Sequence, residues 1–206
     1  MPRTNTILTQ QTYRHIHELV DLLYTLPLRD MKITTAFRSL HRPDETLLLR
    51  EDQKQWLRAQ IAQLTEIHPD GKIKFQCSTD YQAMTAGQRE RAFDKFPSCG
   101  IGMDTIIITP DGKVSMCEQS PQSEEFIVGN VKENAIMDVW QCDRMKAFIN
   151  VRRSSFKGTV CYDCDDFDRC LHKKGGCFIL SMKAYGTRFA PHPACPKAPP
   201  YAMALE

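Results

Sequence analysis

Apolar residues follow two different periods along the first 77 positions. NTILT, at 5–9, is a short β-rich run and reads as a strand. Behind it, Tyr13, Ile16, Val20 and Leu23 recur at helical spacing, with Thr9 as a candidate N-cap and Pro27 beyond the end. MKITTAF, at 31–37, is a second strand. Trp56, Leu57, Ile61, Leu64 and Ile67 mark a second amphipathic helix, and His68-Pro69-Asp70-Gly71 stops it before a third strand, KIKFQC. The order is βαβαβ, the pattern of units that feed a parallel sheet.

Past residue 77 the pattern changes. DTIIIT and KVSMC are β-rich runs joined by Pro110-Asp111-Gly112, turn chemistry with a glycine free to take positive φ, so they predict a hairpin. FIVGNV predicts another strand. Ile136, Val139, Trp140 and Phe148 then supply the apolar side of one helix. From 156 onward periodicity fades into Gly, Pro and Cys. Large apolar residues are too few there to offset the ordering entropy of the loops, so that segment needs a staple. The fold class is α+β.

Composition narrows the function. The 206 residues are 42% hydrophobic and 25% charged, enough for a real core, and the net charge is only +2. No Lys/Arg run exceeds two residues, which argues against a nucleic-acid or membrane surface as partner. The first residues lack an apolar core of signal-peptide length, and no stretch approaches the ~18 apolar residues of a membrane span. The expected compartment is the cytoplasm, and a reducing compartment turns the nine cysteines toward metal or redox chemistry rather than a disulfide framework.

All nine lie between Cys77 and Cys195, and CYDCDDFDRCLHKKGGC at 161–177 holds four of them. Cys161-x2-Cys164 can aim two sulfurs at one site, with Cys170 close enough for a third. Cys177 follows Gly175-Gly176, Cys99 and Cys117 bracket the first hairpin strand and its turn, and Cys195 sits between prolines. Seven thiols therefore occupy ligand contexts. All-thiolate coordination uses four, leaving three for a second site with one open position. A short four-thiolate knuckle alone would favour structural zinc; with Cys99, Cys117 and Cys195 in register, iron–sulfur outweighs it.

The order C-x12-G-x4-C (Cys99, Gly112, Cys117), C-x2-C-x5-C-x6-C (Cys161, Cys164, Cys170, Cys177) and a final Cys195 closely resembles the SPASM domain, the auxiliary iron–sulfur module at the C-terminus of many radical SAM enzymes. ITPDGKVSMCEQ, FIVGNVKENAIMDVW and GGC resemble the family's hairpin, strand and helix in order. The resemblance spans about residues 97–197, and the spacer between Cys170 and Cys177 departs from the family's usual length. It implies two 4Fe-4S clusters: an outer one held by Cys161, Cys164, Cys170 and Cys195, and an inner one held by Cys99, Cys117 and Cys177. It also implies residues 97–206 as the cluster domain and residues 1–96 as the last βα units of a partial β/α barrel. The CxxxCxxC loop that holds the S-adenosylmethionine-cleaving cluster is not among these residues, so S-adenosylmethionine is expected only in a complete enzyme, of which this is a C-terminal fragment or one chain of a split pair. The implied function is radical modification of a peptide or protein side chain. Implied partners are that substrate, a separate chain with the SAM-cluster half, and an electron donor or acceptor protein. A non-catalytic, metal-stapled recognition module is the alternative.

Other residues have plainer readings. Cys77, at a strand end, suits a buried structural thiol better than a fourth inner ligand. Cys142 reads as a core thiol within a helix. His15, His17, His41, His68, His172 and His192 show no mutual ligand spacing and are expected at the surface. Arg38, His41 and Arg42 fit a solvated loop after a strand. Asp163, Asp165, Asp166 and Asp168 form an acidic face that should depress the outer cluster's potential unless Lys173 and Lys174 offset it.

Overall fold

A computed structural model describes residues 2–40, 44–77, 81–82, 84–96, 99–171 and 176–201. The chain divides into two compact units, with the break after residue 79, well before the motif-based boundary at 96.

The first unit is the βαβαβ the spacing predicts. β1 (Arg3–Leu8), β2 (Asp30–Thr35) and β3 (Ile73–Gln76) form a parallel sheet in that order, with Ile33 opposite Thr6 on one side and Phe75 on the other. Two helices complete it, α1 (Ile16–Tyr24) and α2 (Glu51–Ile67). α1 buries Ile16, Val20 and Leu23, one stripe of a 3.6-residue period; α2 buries Leu57, Ile61 and Leu64 in the same way. All of these but Leu23 join Leu8, Tyr13, Ile33 and Leu49 in one core, while Leu23 packs with Leu28 and Met31. Full burial of such a side chain contributes ~2 kcal/mol.

Some details differ from the pattern. Thr9 accepts from the Gln11 N–H and shapes a turn, but α1 starts only at Ile16, after a 3-10 turn at Tyr13–His15. Trp56 and Ile67 sit on the outer side of α2, at 39% and 64% exposure, and Trp56 meets Tyr13 edge-on at 5.4 Å. A fixed helical period cannot tell the rim of an apolar stripe from its centre.

The second unit opens with α3 (Ala86–Asp94), which the apolar pattern does not reveal. Its start is written in polar residues: Thr85 accepts from the Gln88 N–H while the Gln88 side chain accepts from the Thr85 N–H. β4 (Ile107–Ile108) and β5 (Lys113–Ser115) form the expected hairpin, closed by the Thr109 N–H donating to the Lys113 carbonyl at 2.9 Å, with Gly112 at φ +89°. β6 (Ile127–Asn130) pairs antiparallel with β5 and makes a three-stranded sheet. A Cβ on Gly129 would stand 2.7 Å from a Val139 methyl, so only glycine lets β6 approach its helix so closely.

That helix is two pieces, α4 (Ile136–Trp140) and α5 (Asp143–Ile149), not the single helix of the apolar period. Cys142 causes the break: its extended backbone ends one helix while its sulfur accepts from the Met145 N–H, capping the next. It packs half-buried against the core of Val114, Met116, Phe126, Val128, Val139 and Met145. A short turn, α6 (Phe167–Arg169), follows, then α7 (Phe178–Tyr185), which the fading periodicity also hides. Tyr81, Ala184, Ala194 and Tyr201 form a smaller core, with Phe93 and Leu180 packed on it, and so join α3, α7 and the tail.

Candidate metal centre

Each sequence-predicted ligand of the second unit is set by local backbone structure. Cys99 precedes a tight turn in which the Gly100 carbonyl accepts from the Met103, Asp104 and Thr105 amides; the Trp140 indole donates to the Gly102 carbonyl at 2.8 Å and pins that turn. Cys117 follows β5, where the Ser115 and Ser120 hydroxyls donate to its carbonyl at 3.1 and 2.6 Å. Cys177 is the N-cap of α7, and the Ile179 and Leu180 amides favour its thiolate.

Cys161 and Cys164 lie on one knuckle loop, and Cys170 follows α6, its amide donating to the Asp166 carbonyl. Arg153 grips that loop from outside. Its guanidinium donates to the Tyr162 and Cys164 carbonyls at 3.3 and 2.8 Å, pairs with Asp168 at 3.3 Å, and stacks over Phe167 at 4.5 Å. Cys195 sits on the tail, which Arg89 of α3 holds by donating to the Pro193, Cys195 and Ala198 carbonyls at 3.2, 2.8 and 3.2 Å. Ser181 and Tyr185 of α7 add bonds to the Pro191 and Pro199 carbonyls. Neither arginine stands out in sequence; the capping box at Thr85 marks the helix that carries Arg89, and nothing local marks Arg153.

The seven thiols gather in two groups. Cys117 is in electrostatic range of Cys177 and Cys99, and Cys177 of Cys99. Cys161 is in range of Cys195, Cys170 and Cys164, and Cys195 of Cys164. Burial pushes the Cys117 thiol up to about 11, against the Gln119 amide and with Cys177 and Cys99 adding to it. It pushes Cys161 to about 11 as well, with Cys195 and Cys170 next in weight, and raises Cys177 and Cys195. Desolvation and neighbouring thiols both oppose ionisation of Cys117, Cys161, Cys177 and Cys195, and a cation among them would reverse that, so the donor set fits a thiolate-ligated metal group. Cys99 and the four thiols of the second group also line a cavity of about 440 Å³, whose other walls include Phe148, Phe156, Phe167 and Phe189.

Among the described residues, no three His, Cys, Asp or Glu side chains converge closely enough to hold a single metal ion. In a four-iron cluster each thiolate binds a different iron, so its ligands stand further apart than those of a tetrahedral ion.

The remaining candidates separate from these groups. All nine cysteines are reduced thiols. Cys77 belongs to the first unit, where the Thr35 hydroxyl and the Arg58 guanidinium donate to its half-buried sulfur at 3.8 and 3.7 Å. Arg38 pairs with Glu45, while His41 and Arg42 lie outside the described residues. So do His172, Lys173 and Lys174. Asp166 pairs instead with Lys197 at 3.7 Å, and the Lys197 ammonium donates to the Cys164 sulfur at 3.4 Å. Asp163 and Asp165 are exposed.

His192 overturns the surface expectation. It is 4% exposed, held against Phe96, Phe93 and Tyr81, and burial pushes its pKa down to about 4. Its neighbours in PHPACPK are polar or small, so spacing alone gave no sign of an interior position.

Residues 99–165 match the family model described as SPASM, an iron–sulfur cluster-binding domain. The fold resembles that of Streptococcus suis SuiB bound to S-adenosylmethionine, with a TM-score of 0.52 and 17% identity over 91% of this chain and 43% of that one. A second crystal structure of Streptococcus suis SuiB gives a TM-score of 0.50 and 16% identity, covering 91% of this chain and 44% of that chain. The chain thus spans less than half the length of the solved structures it matches. No curated protein matches it. The family match supports the resemblance to a SPASM iron–sulfur cluster-binding domain, and the solved structures support a shared fold. Among the described residues, no helix is long and apolar enough to cross a membrane.

Proposed function

We propose that this chain is the auxiliary-cluster portion of a radical SAM enzyme that modifies a peptide or protein side chain, with the first unit as the remnant of its partial barrel. Cys161, Cys164, Cys170 and Cys195 hold the outer 4Fe-4S cluster; Cys99, Cys117 and Cys177 hold the inner one and leave one iron open. The observation that carries the reading is that seven thiols from distant segments couple electrostatically in sets of four and three, and that four of them, Cys99, Cys117, Cys161 and Cys164, lie within the stretch matching an iron–sulfur family.

When bound, such clusters supply one-electron transfer and an open iron for a substrate ligand. This chain's residues do the rest. Arg89 and Arg153 fix the two loops of the outer site through their carbonyls, and aromatic side chains line the cavity beside the sulfurs. S-adenosylmethionine cleavage is assigned to a CxxxCxxC loop outside these 206 residues, in the same polypeptide or in a partner chain. An electron donor or acceptor protein and the cytoplasm complete the proposal.

Anaerobic purification tests it. The protein should be brown, with iron and sulfide near ~8 per chain from two four-iron clusters, and Cys161→Ser should lower both toward ~4. A colourless zinc protein would replace this reading with that of a metal-stapled recognition module.

A further inference from the structure

Among the buried polar side chains, His192 carries an atom that the protein leaves unused. The Ala194 amide donates to its Nδ1 at 3.1 Å, while its Nε2 is buried with no hydrogen-bond partner among the described residues. An Nδ1 that accepts places the ring proton on Nε2. The orphaned atom is therefore an N–H donor, and burying one unpaired costs ~1–3 kcal/mol. His192 lines the same cavity as Cys99 and the outer thiols.

The ring's surroundings point to the inner group. Phe96, three residues before Cys99, lies 4.3 Å from it between ring centroids. Gly176, next to Cys177, is so close that an added Cβ would stand 3.2 Å from the His192 Cβ. Tyr81, 5.7 Å away, is in electrostatic range of Cys177.

We propose that His192 donates its Nε2–H to a sulfur of the inner cluster, a bridging sulfide or a ligand thiolate, and so sets that cluster's reduction potential. This rests on the cluster-binding reading above. The donor is a positioning and tuning group, not the missing fourth ligand, because a ligating Nε2 would have to give up its proton and put one on Nδ1, facing the Ala194 N–H. Donors to cluster sulfur stabilise the more negative, reduced state, so they raise the potential.

The test is an EPR-monitored reductive titration of the iron-loaded chain, unaltered and as His192→Phe and His192→Gln. The expected result is full iron content in all three, a lower inner-cluster potential in His192→Phe, an unmoved outer cluster, and recovery toward the original value in His192→Gln, which keeps an N–H. Equal inner potentials in all three, or a shift confined to the outer cluster, would overturn the proposal. Pulsed EPR on unaltered protein with nitrogen-15 histidine reads the same point should His192→Phe fail to load. Weak nitrogen coupling to the reduced inner cluster is expected; none, or the strong coupling of a direct ligand, overturns it. A chain that takes up no iron removes the cluster reading and this inference together, whereas a loaded chain with unshifted potential removes only the inference.

Discussion

In the first unit Ile16, Val20, Ile33 and Leu57 are wholly buried, and the strands beneath them are paired along nearly their full length. In the tail of the second unit the buried residues are mostly Ala190, Ala194, Ala198 and the prolines Pro191 and Pro193, with His192 and Tyr201 the two larger side chains, and no strand occurs from 131 onward among the described residues. The bonds that order this tail run from side chains, Arg89, Ser181 and Tyr185, to backbone carbonyls. A methyl group buries too little area to offset the entropy of a loop residue. The first unit is therefore specified by aliphatic packing, whereas the tail of the second, on the proposed reading, is completed by what the sulfurs bind.

Chelating the iron should separate the two most sharply. Hydrogen exchange is expected to show loss of protection across 156–201, with β1–β3 unchanged; uniform loss in both units, or none, would erase the contrast. The converse variant is Leu57→Ala, which should cost ~2–5 kcal/mol in the first unit while leaving iron content intact. Unfolding monitored by denaturant, with iron assayed in parallel, checks both halves of that statement.

Arg89→Ala removes three bonds from the tail and should lower local stability by ~2 kcal/mol or more. Iron should fall toward one cluster per chain as Cys195 loosens; retention of both would mean the tail is held mainly by the metal itself. The smallest effect belongs to the first unit. Burial, then the bond to Asp70, pushes the Tyr24 hydroxyl up to about 12. A folded pKa above the unfolded ~10 gives stability that is complete below pH 10 and lost as pH rises toward 12. The hydroxyl is mostly open to solvent, so the contribution is ~1 kcal/mol or less. Tyr24→Phe should flatten that alkaline stretch of the stability curve.

The same contrast explains what was legible in the sequence. β1–β3, α1 and α2 are written in apolar period because packing specifies them, and the hairpin is written in Pro110-Asp111-Gly112. α3 is written only in its cap, and the break at Cys142 is invisible because a thiol seldom signals a helix start. The cysteine order carried the family resemblance, and that resemblance implied the two sets of sulfurs. It could not point to Arg89 or Arg153, which donate to carbonyls 9 to 109 residues away, or to His192, whose Nε2 has no partner among the described residues. Long-range bonds to carbonyls leave no periodic trace.

Because Arg89 and Arg153 take hold of main-chain oxygens, part of the gripped loops' shape is held independently of their side chains. Asp163 and Asp165 are exposed and can be exchanged for neutral or basic residues while those bonds stay in place. Charge on that face is thereby adjustable apart from the scaffold beneath it.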